Sequence, residues 1–159
     1  MRQLVRALRF RLLRARTRAC VSVGENVWFG AGAVLAAPDF ISVGDNVAFG
    51  RGFHVETNLT VGDDVLISSG VAIVGNDHRF DDPTVTVFWQ GRATPDTVVL
   101  EGDNLVGFGT VIVGSLTVGR GAIIGARSVV TRDLPAGFIC AGCPARPMRP
   151  RYGPRDHPA

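Results

Sequence analysis

From Val23 onward, apolar side chains return at every sixth residue. The first run is Val23, Phe29 and Leu35; the second is Val43, Phe49, Val55, Val61, Ile67 and Ile73; the third is Leu100, Val106, Ile112, Val118, Ile124 and Val130. Apolar residues make up 46% of the chain, so an unbroken series of this length has a chance on the order of one in a hundred thousand. The residue after the anchor is Gly at positions 24, 30, 44, 50, 62, 107, 119 and 125. Four residues after it come small or β-branched side chains such as Val27, Ala33, Val47, Val65, Val71, Thr110, Ala122 and Ser128. Each hexad thus predicts one short strand and one sharp corner, with Gly or a small residue where the backbone bends. Three hexads close a triangular coil. The expected fold is all-β, a parallel β-helix of about five coils whose ladders lie ~4.8 Å apart, roughly 20 to 25 Å tall.

Two interruptions break the period. An extra pair of residues falls in the Leu35 hexad near Pro38 and Asp39, which predicts a bulged corner. A longer one, 79–99, separates the Ile73 hexad from the Leu100 hexad and predicts an excursion out of the prism. It carries Trp89, Gln90 and Arg92 and follows directly on His78. Loops of that length inside a compact repeat are functional or disordered. The repeat stops at Asp133-Leu134-Pro135. The expected division is a basic helical cap at 1–20, a β-helix at 21–135 with its excursion at 79–99, and a C-terminal cap and tail at 136–159.

Composition supports the class. There are 20 Gly but only 9 Phe and 2 Trp, which suits many tight turns between short aliphatic strands. All 17 basic residues are Arg. Seven of them (2, 6, 9, 11, 14, 16 and 18) precede residue 19 with no acid among them; the rest of the chain holds 10 basic and 14 acidic residues, a balance of −4. A mildly acidic body lacks the basic face that nucleic acid requires. In the head, Leu4, Ala7, Leu8 and Leu12 fall at helical intervals. Such a basic helix would cover the first coil against edge pairing, or lean on anionic lipid or a partner. No run approaches ~18 apolar residues and the head lacks the apolar core of a signal peptide. The expected location is the cytoplasm, at the inner face of the membrane if the head binds lipid. Three cysteines, Cys20, Cys140 and Cys143, do not make a disulfide framework, and Cys140-Ala-Gly-Cys143 has no second pair with which to complete a zinc site.

Two stretches resemble the hexapeptide-repeat acyltransferases, the group of left-handed β-helix proteins that includes sugar and polysaccharide O-acetyltransferases and the xenobiotic acetyltransferases. Val118-Gly-Arg-Gly-Ala-Ile-Ile-Gly-Ala-Arg-Ser-Val-Val-Thr-Arg-Asp-Leu-Pro resembles the family's last coil, and Ala141-Gly-Cys-Pro-Ala-Arg its closing segment. The resemblance implies a homotrimer with acetyl-coenzyme A in a groove between neighbouring prisms and no metal. By matching positions it implies a coenzyme path along Phe108, Ala126, Thr131, Arg132, Arg146 and Arg149. Arg132 stands where Lys is common; Phe108 and Leu105 depart from the small residue and Trp of the sugar-modifying members. The family's active-site His corresponds to His78, within Asn76-Asp77-His78-Arg79-Phe80-Asp81-Asp82-Pro83.

The chemistry agrees with that assignment. A hydroxyl attacking a thioester must lose its proton, and imidazole is the side chain whose charge change lies nearest neutral pH. Glu56, Asn58, Asp77 and Trp89 are candidate acceptor-binding groups, and His54 lies one hexad row away. The expected activity is transfer of an acetyl group from acetyl-coenzyme A to a sugar or glycan hydroxyl. Two readings compete with it: a drug-like hydroxyl as acceptor, and a non-catalytic β-helix scaffold, which would need neither His78 nor the excursion nor the Arg-bearing closing segment. A zinc hydratase on the same helix would need three His at the metal, two of them close in sequence; here they stand at 54, 78 and 157.

Overall fold

Successive residues of a strand point to opposite sides, so a two-residue rung buries one side chain in a coil and turns its neighbour outward, while a rung such as Phe40–Val43 buries two. The computed structural model, which describes Leu13 and residues 17–153, is a stack of such rungs. The first face stacks strands Cys20–Val23, Phe40–Val43, Asn58–Val61, Thr97–Leu100 and Leu116–Val118. The second stacks Trp28–Phe29, Ala48–Phe49, Leu66–Ile67, Leu105–Val106, Ile123–Ile124 and Phe138–Gly142; the third, Val34–Leu35, His54–Val55, Ala72–Val74, Val111–Val113 and Val129–Val130. All these pairs are parallel, and each anchor lies beside the anchor of the next coil, as in Val43↔Val61 and Val61↔Leu100. Every anchor after Val23 is buried; Val23 itself, in the first coil, is partly covered. Phe29 and Phe49 stack inside at 4.5 Å between ring centroids, 4° from parallel.

The glycines after the anchors serve a different purpose from the one expected. None of them has positive φ. They are needed because coils touch there: a Cβ on Gly107 would stand 2.5 Å from the amide nitrogen of Ala126 in the next coil. The left-handed corners fall two residues later, at Gly32, Gly52, Gly70 and Gly109, with φ from 65° to 73°.

Three boundaries also change. The stack runs to about six turns rather than five. Leu134 bridges Val118 and Phe138–Gly142 adds a parallel rung beside Ile123–Ile124, with Leu134 and Cys140 buried at 3% and 0%. These inward positions follow Val118 and Ile124 by 16 residues instead of the 18 of a regular coil, and Pro135 interrupts the pattern between them. Ala145–Pro150 then folds back antiparallel on this last rung. The excursion is shorter than expected, because Thr97–Leu100 already forms a ladder with Asn58–Val61 and Val98 is fully buried. The basic helix expected over 1–20 lies almost wholly outside the described residues; Leu13, described within that span, is helical, and Cys20 already opens the first strand. The bulge at Pro38 and Asp39 is present and is tied down by Asn58, whose Oδ1 accepts from the amides of Asp39 and Phe40 while its Nδ2 donates to the Asp39 carboxylate.

Candidate active site

The excursion leaves from the end of the third face. Gly75 follows strand Ala72–Val74, and a Cβ there would meet the Asp96 carboxylate and the Thr57 methyl, so the turn is packed. Asn76 takes left-handed φ, 58°. Asp96 holds both sides of the opening: one carboxylate oxygen accepts from the Asn76 amide at 3.3 Å, the other from the Ser115 hydroxyl at 2.7 Å, and its carbonyl accepts from the Asn58 amide. Above it, His78 and Arg92 pair as an antiparallel bridge. The Arg79 amide donates to the Gly91 carbonyl, the Ala93 amide to the Asp77 carbonyl, and the Arg92 guanidinium to the Asn76 carbonyl at 2.7 Å. His78 therefore sits on a hydrogen-bonded neck. Asp77 supports it from the preceding position, its carboxylate accepting from the His78 amide at 3.1 Å.

His78 is half-buried at the rim of an open cavity of about 430 Å³ lined by Arg79, Phe80, Asp81, Arg92, Ala93 and Thr94. Two guanidiniums and an imidazole line it with an exposed phenyl ring, Arg79 being held by Asp81 at 3.4 Å. The tip of the excursion braces itself. Gln90 accepts from the Asp82 amide and donates to the Asp82 and Val85 carbonyls. The Thr84 hydroxyl and amide both donate to Asp82 Oδ1, and these bonds hold the Asp82 carboxyl below the usual carboxylate range. The single-turn 3-10 helix Val87–Trp89 carries Phe88 and Trp89 edge to face at 4.8 Å, both about three-quarters exposed. Trp89 is thus neither packed on the prism nor part of the His78 cavity.

The other candidates are spread over the prism. Glu56 accepts from, or is salt-bridged to, His54 Nε2 at 2.7 Å on the third face, a pairing that spacing alone did not indicate. Asn58 spends its side chain on the bulged corner. Phe108 and Ala126 share one corner between the second and third faces on successive coils, both exposed. Thr131 and Arg132 are exposed just beyond the last third-face rung. Arg146 and Arg149 are exposed on the returning strand, where Arg146 pairs with Ala141 and Arg149 with Ile139. None of these coenzyme candidates lines the His78 cavity. Arg92 and Thr94 do line it; they became visible only once the neck closed on itself. His157 lies outside the described residues. Cys140 points into the core, where burial pushes its thiol up, while Cys143 is exposed, so the two do not form a pair. Among the described residues, no group of three or more His, Cys, Asp or Glu could hold a metal ion.

No family model matches the chain. It is similar to galactoside O-acetyltransferase of Escherichia coli, 31% identical over 139 residues that cover 80% of this chain and 63% of that one. It is 36% identical over 87 residues to a bifunctional GlmU protein of Rubrobacter xylanophilus, covering 55% of this chain but only 18% of that protein. The chain thus spans less than two thirds of either relative. Among solved structures, AntD, an N-acyltransferase from Bacillus cereus in complex with dTDP and 3-hydroxybutyryl-CoA, shares the fold with a TM-score of 0.72 over 86% of this chain and 78% of that one, at 21% identity.

Proposed function

The chain is related by sequence and by fold to the hexapeptide-repeat left-handed β-helix acyltransferases, and from that premise we propose that it transfers an acetyl group from acetyl-coenzyme A to a hydroxyl of a sugar or glycan. His78 is the general base, and the site is completed between copies of a homotrimer. The observation that carries this reading is the position of His78, half-buried at a cavity rim on the neck where the coil departs into its excursion. The coenzyme candidates Phe108, Ala126, Thr131, Arg132, Arg146 and Arg149 lie on other parts of the same chain, which favours a site shared between neighbouring prisms.

In this reading the acceptor enters past Asp77 and Trp89. Its O–H proton passes to the His78 imidazole as the oxygen attacks the thioester carbon. A backbone amide or a charged side chain holds the developing oxyanion. The C–S bond then breaks and the departing thiolate takes up a proton, which leaves an acetyl ester and coenzyme A. A hydroxyl is favoured over an amine because the relative with the widest sequence match cited above is an O-acetyltransferase.

The test is release of coenzyme A thiol from acetyl-coenzyme A with hydroxyl sugars and amino sugars as parallel acceptors. Hydroxyl sugars should give turnover, and His78→Ala should lower it by about a hundredfold or more with the fold unchanged. Turnover confined to amino sugars would replace the O-transfer reading with N-transfer, and wild-type rates in His78→Ala would remove the base assignment.

A further inference from the structure

Six non-glycine residues among those described have φ between 49° and 61°. Asn26, Asn46, Asp64, Asn76 and Asp103 are of the two types whose short polar side chains tolerate the left-handed region. The sixth is Arg127, at φ 57°. It occupies the corner that the coils before it fill with Gly32, Gly52, Gly70 and Gly109, and the same ladder bond recurs there: the Gly109 amide donates to the Ser69 carbonyl and the Arg127 amide to the Phe108 carbonyl. A long side chain has thus replaced glycine at a position that disfavours it, and such outliers gather at functional sites.

Packing does not explain the exchange. Arg127 is exposed, and its guanidinium makes no hydrogen bond or ion pair with a described residue. Its contact is with Phe108, whose ring centroid lies 6.0 Å from Cζ. The Phe108 ring is 52% exposed and rests over Gly70, which offers no side chain to cover it. A guanidinium with open donors thus stands over an exposed aromatic ring at one corner of the prism. That pairing suits a ligand with both an anionic phosphate and apolar or planar surface.

We propose that Arg127 is a phosphate-anchoring residue for coenzyme A, with Phe108 as the platform that orients both the guanidinium and the ligand. The proposal rests on the acetyl-coenzyme A reading above. Arg127 acts by binding and positioning the donor, and takes no part in proton transfer.

The experiment is calorimetric titration of the full chain with coenzyme A, adenosine 3′,5′-bisphosphate and pantetheine, for the wild type, Arg127→Gly and Arg127→Asn. Both replacements suit a left-handed backbone, so both should keep or raise the melting temperature. Both should weaken coenzyme A and the bisphosphate by roughly tenfold or more and leave pantetheine unchanged. Unchanged coenzyme A affinity in both variants, beside a wild type that binds it, would overturn the role of Arg127 and leave the donor assignment standing. A lower melting temperature in both variants, or equal losses for all three ligands, would make the residue structural instead. Failure of the wild type to bind coenzyme A would overturn the donor reading itself.

Discussion

A glycine in this prism is defined by what stands beneath it. At Gly62 a Cβ would collide with the Glu101 carbonyl oxygen of the next coil, in backbone that cannot move aside without breaking a ladder. Gly62→Ala should therefore cost about 1–3 kcal/mol, the range for overpacking a close contact, read as a lower urea midpoint. At Gly52 nothing lies within 4 Å of the added carbon, and the cost of Ala there comes only from its φ of 65°. Sequence shows both as glycine, and the repeat alone suggested bending for the wrong set. His78 was readable as a candidate because it falls where the period ends. Its neighbours Arg92 and Thr94 were not, because they reach the cavity through a bridge between residues fourteen positions apart.

Among elements, the excursion is the one whose order is internal. It is exposed along most of its length, and its tip is held by Gln90, Asp82 and Thr84 rather than by a core. Gln90→Ala should quicken amide exchange across residues 79–93 while leaving the strands of the three faces protected, and should raise the acceptor KM several-fold if the tip guides the acceptor. Acid should act in the same direction. Because the folded Asp82 carboxyl lies below the usual carboxylate range, its bonds to Thr84 contribute above that range and are lost as pH falls through the folded value. Protection of the wild-type tip, measured as exchange relative to an unstructured peptide at the same pH, should thus be full at neutral pH and fall only in strong acid. The last rung shows the opposite case: Phe138–Gly142 looked like a cap, yet is a strand of the stack, since two residues fewer per coil suffice to remove a six-residue signal.

Across the whole molecule the outward row of the first face differs from those of the other two, which are mostly apolar. On the first face the outward row Ser22, Ser42, Thr60, Val99 and Thr117 is polar except for Val99. On the second, Trp28, Ala48, Leu66, Leu105 and Ile123 align in register, with Leu66 56% exposed. An apolar line of this kind on one side of a prism marks an association surface. The trimer proposed above should bury it: sedimentation should give three chains for the wild type and one for Leu66→Asp at micromolar concentration. A monomeric wild type would leave the His78 cavity and the coenzyme candidates on separate surfaces, and the shared-site reading would fail.

The sequence by itself determined the architecture, because a β-helix is a repeat whose every coil solves the same local problem: an inward aliphatic anchor, a second buried residue two positions before it, and one tight corner per six. It also pointed to His78, since a break in so regular a period marks where the chain does something other than stack. Tertiary structure decided the rest. The lateral approach of coils chose which residues must be glycine, and the closure of the neck through Asp96, Arg92 and Gly91 built the cavity. The stacking of Arg127 on Phe108 joined residues on successive coils. These features depend on neighbours about eighteen residues away across the ladder or on an excursion returning to its own root, distances at which a local pattern carries no information.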